Sequence, residues 1–321
     1  MTKVIKSIAC VGAGTIGHSW ALLFAKKGFI VNLYDVSEEI LKKALQRIQL
    51  ALETLHEEGL LKTEDLRGIL SRIKPYTSLE EAVRDVEYIQ ESAPENLILK
   101  RDLFSMMGKY NREAILASST SSIPMSRIVK DLSSDIQKRA LVVHPFNPPH
   151  IIPLVEIVPS PMTDPDIVKI VYDLMVKLDK TPIIVKKEVP GFVANRLQFA
   201  LFREAINLVL NDVASIEDVE KALYQGLGLR WAIMGPFITF YLADPGGLEQ
   251  AIIKLKEAFE SVWRDIATWT QIPPPHILKA LNDNTKVLVK TLIEKRGLKD
   301  LAELPKWRDK TLLRLIKARE G

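Results

Sequence analysis

Three glycines, Gly12, Gly14 and Gly17, stand within six positions between two apolar runs in VGAGTIGHSWALLFAKKGFIVNLYD, residues 11–35. No other stretch restricts the fold as much. The run before them, Ile5–Val11, reads as a strand. The run after them, Thr15–Lys27, has helical spacing and stops at Gly28, and Val31–Tyr34 is the next strand. Each glycine suits such a strand–turn–helix corner for its own reason. Gly12 permits the tight turn, Gly14 lets a ligand approach the backbone, and Gly17 lets the helix lie close on the sheet. With Thr15 and Ile16 they spell G-x-G-x-x-G, and the free N–H groups and positive dipole end of the helix suit a pyrophosphate. Asp35 closes the second strand, where a carboxylate accepts from a ribose hydroxyl and repels a 2′-phosphate. The expectation is a dinucleotide site that takes NAD rather than NADP. The plainer alternative is a glycine-rich turn with an unused acid.

The same alternation continues. Val86–Ile89, Ala114–Ala117, Leu141–Val143, Ile151–Val158 and Pro182–Val185 read as strands. Between them lie helical stretches: one capped by Ser37 and running to about Glu58, a charged one over Lys62–Ile73, and others over Leu97–Tyr110 and Pro165–Lys180. Interleaved strands and helices imply a mostly parallel sheet covered on both faces. Beyond Pro190-Gly191 only helical patterns remain. Phe192–Leu210 is one long period, Ser215 with Asp218 starts another helix, and loops are expected at 226–235, 244–247 and 273–275. The basic tail Trp307–Arg319 reads as a solvated helix packed by Leu312, Leu313 and Leu315. The predicted fold class is α/β: a Rossmann-type, doubly wound parallel sheet domain over 1–187, then an all-helical domain over 188–321 for substrate and dimerisation.

Bulk properties exclude several classes. The chain has 44 Lys and Arg against 40 Asp and Glu, a net charge of +4, too balanced for a nucleic-acid binder. Its one cysteine, Cys10, lies in the first apolar run, so no internal disulfide can form and a reducing compartment fits. The opening MTKVIKSIACVGAG runs straight into the first strand and leaves no room for a targeting peptide. No apolar stretch reaches the ~20 residues of a membrane span. A cytoplasmic protein with no membrane or metal partner is expected.

Ligands in open α/β sheets bind beyond the carboxyl ends of strands. After Ala114–Ala117 comes a hydroxyl cluster, Ser118-Ser119-Thr120-Ser121-Ser122. After Leu141–Val143 comes His144-Pro145-Phe146-Asn147-Pro148-Pro149. A histidine at a strand end suits acid–base work, although a lone histidine also serves as a structural residue. The histidines at 18, 56, 150 and 276 have no comparable setting. Glu156 stands in an otherwise apolar run and needs a partner if buried. A histidine would be a natural one, since the carboxylate fixes its tautomer, but spacing does not prove that the two meet. Asn195, at the start of the first helix after the boundary, is either a ligand-facing amide or a surface residue.

These residues resemble a known family. VGAGTIG, PENLILKRDLF (94–104), ASSTSSI (117–123), HPFNPP with LVEIV (144–158) and VPGFVANRL (189–197) make the chain similar to the L-3-hydroxyacyl-CoA dehydrogenases along essentially its whole length. SST in place of the usual SNT, GLGLRWAIMGPF (226–237) and KWRDKTLLRL (306–315) resemble the lambda-crystallin and L-gulonate 3-dehydrogenase branch. The resemblance implies NAD-dependent oxidation of the 3-hydroxyl of an L-3-hydroxy acid to a 3-keto product by a homodimer. His144 would be the general base and Glu156 its orienting partner. Ser121 and Asn195 would bond the substrate, Glu95 and Lys100 would lie near the nicotinamide and ribose, and Gly12, Gly14, Gly17 and Asp35 would hold the cofactor. The departure at Ser119 leaves two substrate classes open: a free 3-hydroxy acid, with Arg230 as a candidate carboxylate clamp, and a 3-hydroxyacyl-CoA. The basic residues Lys62, Arg67, Arg72 and Lys74 can touch CoA phosphates or simply face solvent. An NAD-binding, crystallin-like structural protein is the reading from another class.

Overall fold

The structure, a computed structural model, describes residues 5–320. The first four residues of the opening segment and Gly321 lie outside the described residues. Eight strands form one sheet: β1 (Ser7–Val11), β2 (Ile30–Tyr34), β3 (Ile73–Tyr76), β4 (Tyr88–Glu91), β5 (Ile115–Ser118), β6 (Ala140–Pro145), β7 (Leu154–Pro159) and β8 (Thr181–Ile184). Their spatial order is β3-β2-β1-β4-β5-β6-β7-β8. β1 to β6 run parallel to one another, β7 runs antiparallel to β6, and β8 is parallel to β7. The chain moves outward from β1 to β3 and then returns to β4, so the order reverses between β1 and β4.

Side chains alternate across this sheet as the period of two requires. Ile8, Cys10, Leu141 and Val143 pack on one face with helices Gly17–Lys26, Glu38–Glu57 and Pro165–Lys177. Ala9, Val11, Ala140 and Val142 pack on the other with helix Leu97–Tyr110. Both faces are covered, which explains the near-continuous apolar runs in the inner strands.

The structure departs from the sequence pattern in several places. The charged helix ends at Ser71 rather than Ile73, because Ile73–Tyr76 joins the sheet as β3. Pro75 is tolerated there because β3 is an edge strand. The short helices Leu79–Val83, Met125–Ile128 and Ser134–Lys138 were not legible in the pattern. Ser37 precedes its helix but makes no side-chain cap bond, whereas Ser215 Oγ accepts from Asp218 N–H at 3.1 Å as expected. The expected loop at 226–235 is largely helical: a π-turn over Ala222–Leu227 leads into helix Gly228–Trp231. Gly228 permits this wide turn, since a Cβ there would come within 2.9 Å of the Leu223 carbonyl oxygen.

Two compact units result. One ends at Arg196 and takes in Lys306–Lys317; the other spans Leu197–Pro305. This division differs from a break at 187/188 in two ways. The boundary falls inside helix Ala194–Leu210, and the terminal helix Leu304–Glu320 returns to the first unit. Leu313 packs against the first core, Leu315 is exposed, Lys306 and Lys310 pair with Glu57, and Arg314 makes a two-pronged pair with Glu58. The second unit contains no strand among the described residues. No helix of the described chain is long and apolar enough to cross a membrane.

Candidate active site

The glycine corner sits where the strand order reverses. Gly12 has φ +98°, and a Cβ there would lie 2.8 Å from the Ser92 carbonyl group. A Cβ on Gly17 would fall 1.7 Å from the Gly12 oxygen. Gly14 is different: a Cβ there would meet nothing within 4 Å, so open space lies over this glycine. Thr15 is exposed, and Ile16 immediately precedes helix Gly17–Lys26, whose N-terminus carries the positive end of the helix dipole. Asp35 follows β2. Its Oδ2 accepts from Ala13 N–H and its Oδ1 from Val36 N–H, each at 2.8 Å. The open glycine, the helix N-terminus and the acid on the neighbouring strand fit a dinucleotide with an unphosphorylated ribose.

Beyond β4 and β5 the polar residues interlock. Glu95 Oε1 accepts from Thr120 Oγ1 at 2.6 Å, from Ser122 Oγ at 2.9 Å, and from the N–H groups of Ser121 and Ser122 at 3.1 Å. Burial works to raise the Glu95 carboxyl, but the Thr120 hydroxyl, the Lys100 charge and Ser122 outweigh it and hold the group below the ordinary carboxylate range. Glu95 therefore shapes the loop that carries Ser121. Lys100 is 1% exposed. Its Nζ lies 2.8 Å from Glu91 Oε1 and 3.5 Å from Glu95 Oε2, and donates to Ala93 O at 3.1 Å. Glu91, fully buried, also accepts from Ala93 N–H and Ser118 Oγ. Nothing in the sequence marked Glu91 except its place at a strand end, three residues before PENLILK.

His144 and Glu156 are register partners on the antiparallel pair β6–β7. Partners of this kind share one face of the sheet, and here His144 Nδ1 lies 2.7 Å from Glu156 Oε2. Glu156 Oε1 accepts from the N–H groups of Val193 and Ala194 at 2.9 and 3.0 Å. Burial pushes the Glu156 carboxyl up, but the bonds from His144, Ala194 and Val193 prevail and keep it below its usual value. Asn195 is buried, and its Nδ2 donates to Ser121 O at 3.4 Å. The structure thus brings His144, Glu156, Asn195 and Ser121 into one linked group.

Other residues take different positions. Ser119 Oγ accepts from Gln90 Nε2 at 2.8 Å and Trp20 Nε1 at 3.2 Å and touches Ser92 Oγ at 2.9 Å, so its hydroxyl is engaged within the protein. His150, set aside in the sequence as lacking a functional setting, is buried with Nδ1 2.7 Å from Ser19 Oγ. Lys180 Nζ donates to the carbonyls of Pro149 and Ile152 and pins the loop that follows β6. Arg72 bonds the Ala25 carbonyl, while Lys62, Arg67 and Lys74 are exposed. Arg230 is an exposed residue of helix Gly228–Trp231 in the second unit. Among the described residues no three His, Cys, Asp or Glu side chains gather as a metal site.

Known proteins match the chain over nearly its whole length. The family model described as "3-hydroxyacyl-CoA dehydrogenase, NAD binding domain" matches residues 7–189, and "3-hydroxyacyl-CoA dehydrogenase, C-terminal domain" matches residues 191–291. The chain is 36% identical to the lambda-crystallin homolog of Homo sapiens over 97% of its length and 95% of that protein's. It is 35% identical to an L-carnitine dehydrogenase of Streptomyces griseus, covering 98% of this chain and 90% of that one. Among solved structures, an NAD+-dependent dismutase, 5-formyl-3-hydroxy-2-methylpyridine 4-carboxylic acid 5-dehydrogenase, superposes with a TM-score of 0.81 at 28% identity over 99% of both chains.

Proposed function

The chain belongs to the 3-hydroxyacyl-CoA dehydrogenase family and is an NAD-dependent oxidoreductase that oxidises a 3-hydroxy acid; from that premise we propose that its substrate is a free 3-hydroxy acid and that His144 is its general base. The observation that carries the reading is the buried His144–Glu156 pair at 2.7 Å beside Asn195 and Ser121. A carboxylate only accepts, so the proton between them belongs to His144 Nδ1, and Nε2 keeps the lone pair that receives the substrate proton. Glu156 balances the charge of the imidazolium as it forms. Ser121 and Asn195 orient the substrate oxygen, and Glu95 holds the Ser121 loop in place with Lys100 beneath it. Bound NAD, held by Gly12, Gly14, Thr15, Ile16, Gly17 and Asp35, supplies the acceptor for the C3 hydride.

Support for a free acid comes from the relatives named L-carnitine dehydrogenase, whose substrate is a 3-hydroxy acid with an unesterified carboxylate. Arg230 is the proposed clamp for that carboxylate. The unit that ends at Arg196 and takes in Lys306–Lys317 is the proposed cofactor domain, and Leu197–Pro305 the proposed substrate and dimerisation domain. The protein acts in the cytoplasm as a homodimer. Support for the dimer lies in the second unit, whose only buried apolar side chains among the described residues are Ala251 and Ala267, while Phe199, Phe237, Trp263 and Ile272 are exposed.

The test is NADH formation at 340 nm from L-carnitine, L-gulonate and L-3-hydroxybutyryl-CoA in parallel, with wild type and His144→Ala. The expected result is preference for a free acid and a loss of turnover of about two to four orders of magnitude in the variant, with NAD affinity unchanged. Preference for the thioester refutes the substrate, full activity of the variant refutes the base, and sedimentation as a monomer at micromolar concentration refutes the dimer.

A further inference from the structure

Glu156 divides its two oxygens between different parts of the chain. Oε2 faces His144, and Oε1 accepts from the N–H groups of Val193 and Ala194. Those two groups stand at the start of the 17-residue helix Ala194–Leu210 and carry the positive end of its dipole. The chain reaches them through an uncommon turn. Gly191 has φ +76°, and Phe192 has φ +52°, a region that bulky residues seldom occupy. The Phe192 ring is buried with its centroid 5.6 Å from that of His144. Backbone strain of this kind persists where the surroundings over-determine it. What the turn achieves is to aim two backbone donors at the carboxylate that partners His144.

We propose that the turn Gly191–Ala194 is a positioning element for the His144–Glu156 pair: its two N–H groups fix the Glu156 side chain, draw off part of its negative charge, and so set how readily His144 takes and releases the substrate proton. A buried carboxylate facing an imidazole alone would grip the imidazolium proton strongly and leave the base occupied. Sharing that charge with backbone donors weakens the grip while keeping the orientation. The same bonds fix Asn195, the next residue in the helix. The inference rests on His144 being the base.

The groups that face the pair come from five elements. β6 contributes His144 and, just past its end, the Phe146 ring; β7 contributes Glu156; and β8 contributes Ile183, aligned with Glu156. The turn contributes Phe192 and the two N–H groups, and the loop after β5 contributes the Ser121 carbonyl through Asn195. The titratable members of this set are His144 and Glu156 themselves.

Lactic acid incorporated at position 194 tests the proposal directly. Ala194 is the first helical residue, so its N–H makes no bond within the helix, and replacing it by an ester oxygen removes one donor to Glu156 without placing a new group against the carboxylate. Losing it strengthens the pull of Glu156 on the His144 proton. The acidic limb of the kcat/KM pH profile should therefore move to higher pH by about 0.5 to 1 unit, with a several-fold loss at neutral pH and a lowered melting temperature, because a bond to a buried carboxylate is gone. Ala194→Ser, which keeps the N–H, should behave as wild type. If the ester at 194 folds poorly, 2-hydroxyisovaleric acid incorporated at position 193 removes the Val193 donor and should give the same shift. An acidic limb that stays at its wild-type position in the folded ester protein overturns the proposal. Failure of the base assignment looks different: wild type would then lack the limb, or His144→Asn would retain it.

Discussion

Replacing Lys100 by methionine probes the most deeply buried charge pair of the site. Methionine keeps most of the apolar stem volume, so the packing of helix Leu97–Tyr110 changes little. What disappears is the ammonium 2.8 Å from Glu91, with Lys100 1% and Glu91 0% exposed. Glu91 is left as a buried carboxylate that retains Ala93 N–H at 2.6 Å and Ser118 Oγ at 2.5 Å. Ala93 O also loses its partner. Removing one member of a buried pair costs about 3–5 kcal/mol, and the two surviving bonds argue for the lower part of that range. For a unit of this size the loss corresponds to a fall in melting temperature of about 6 to 20 °C. The assay is urea unfolding and calorimetry of wild type, Lys100→Met and the double variant Glu91→Gln/Lys100→Met. The double variant removes the stranded charge and should recover to within about 1 kcal/mol of wild type. A single variant that loses less than about 1 kcal/mol, or a double variant no better than the single, would refute the reasoning.

Gly14→Ala should fold with unchanged stability, because its Cβ enters open space, yet bind NAD at least tenfold more weakly in calorimetric titration; unchanged affinity would remove the pyrophosphate from that space. Gly17→Ala should lose stability as well, since its Cβ collides with the Gly12 oxygen, and an unchanged melting temperature would contradict this. Burial first, and then the charges of His18, Lys26, Lys180 and Arg308, hold the His150 imidazole down at about 3. The unfolded chain takes up a proton near pH 6.5 that the folded chain refuses. Stability from this source is therefore intact above about pH 6.5 and declines as pH falls toward 3. His150→Asn should flatten the dependence of unfolding free energy on pH across that window, and an identical slope in the two proteins would count against the assignment.

Local chemistry was the part of this molecule most legible in the sequence. The glycine corner, Asp35 and helix Leu97–Tyr110 could be read because turn residues and apolar spacing act over a few positions. The Ile73–Tyr76 strand could not, since Lys74 and Pro75 give it the composition of a helix end and loop, and only pairing with β2 makes it a strand. His144 and Glu156 each looked functional alone, but their meeting depends on the reversal of β7, which no residue between them announces. Glu91, His150 and Lys180 were invisible for a related reason. Each acquires its role from a partner at a distance: Lys100 nine residues on for Glu91, Ser19 for His150, and the loop carbonyls for Lys180. The return of the terminal helix was hidden likewise, because its basic residues find Glu57, 249 positions away, and Glu58, 256 positions away.

One reversed strand has a further consequence. Because His144 and Glu156 face each other across the rungs of a β-ladder, their separation is set by sheet geometry and owes nothing to the connecting segment 146–153. That segment has its own moorings, Ser19 on one side and Lys180 on the other. Changes in its length would therefore leave the spacing of the two side chains alone and reach the pair only through the Phe146 ring, whose centroid lies 5.1 Å from that of His144. A redesign that spares Phe146 can shorten or lengthen this hairpin connection without unseating the rung on which the two residues stand.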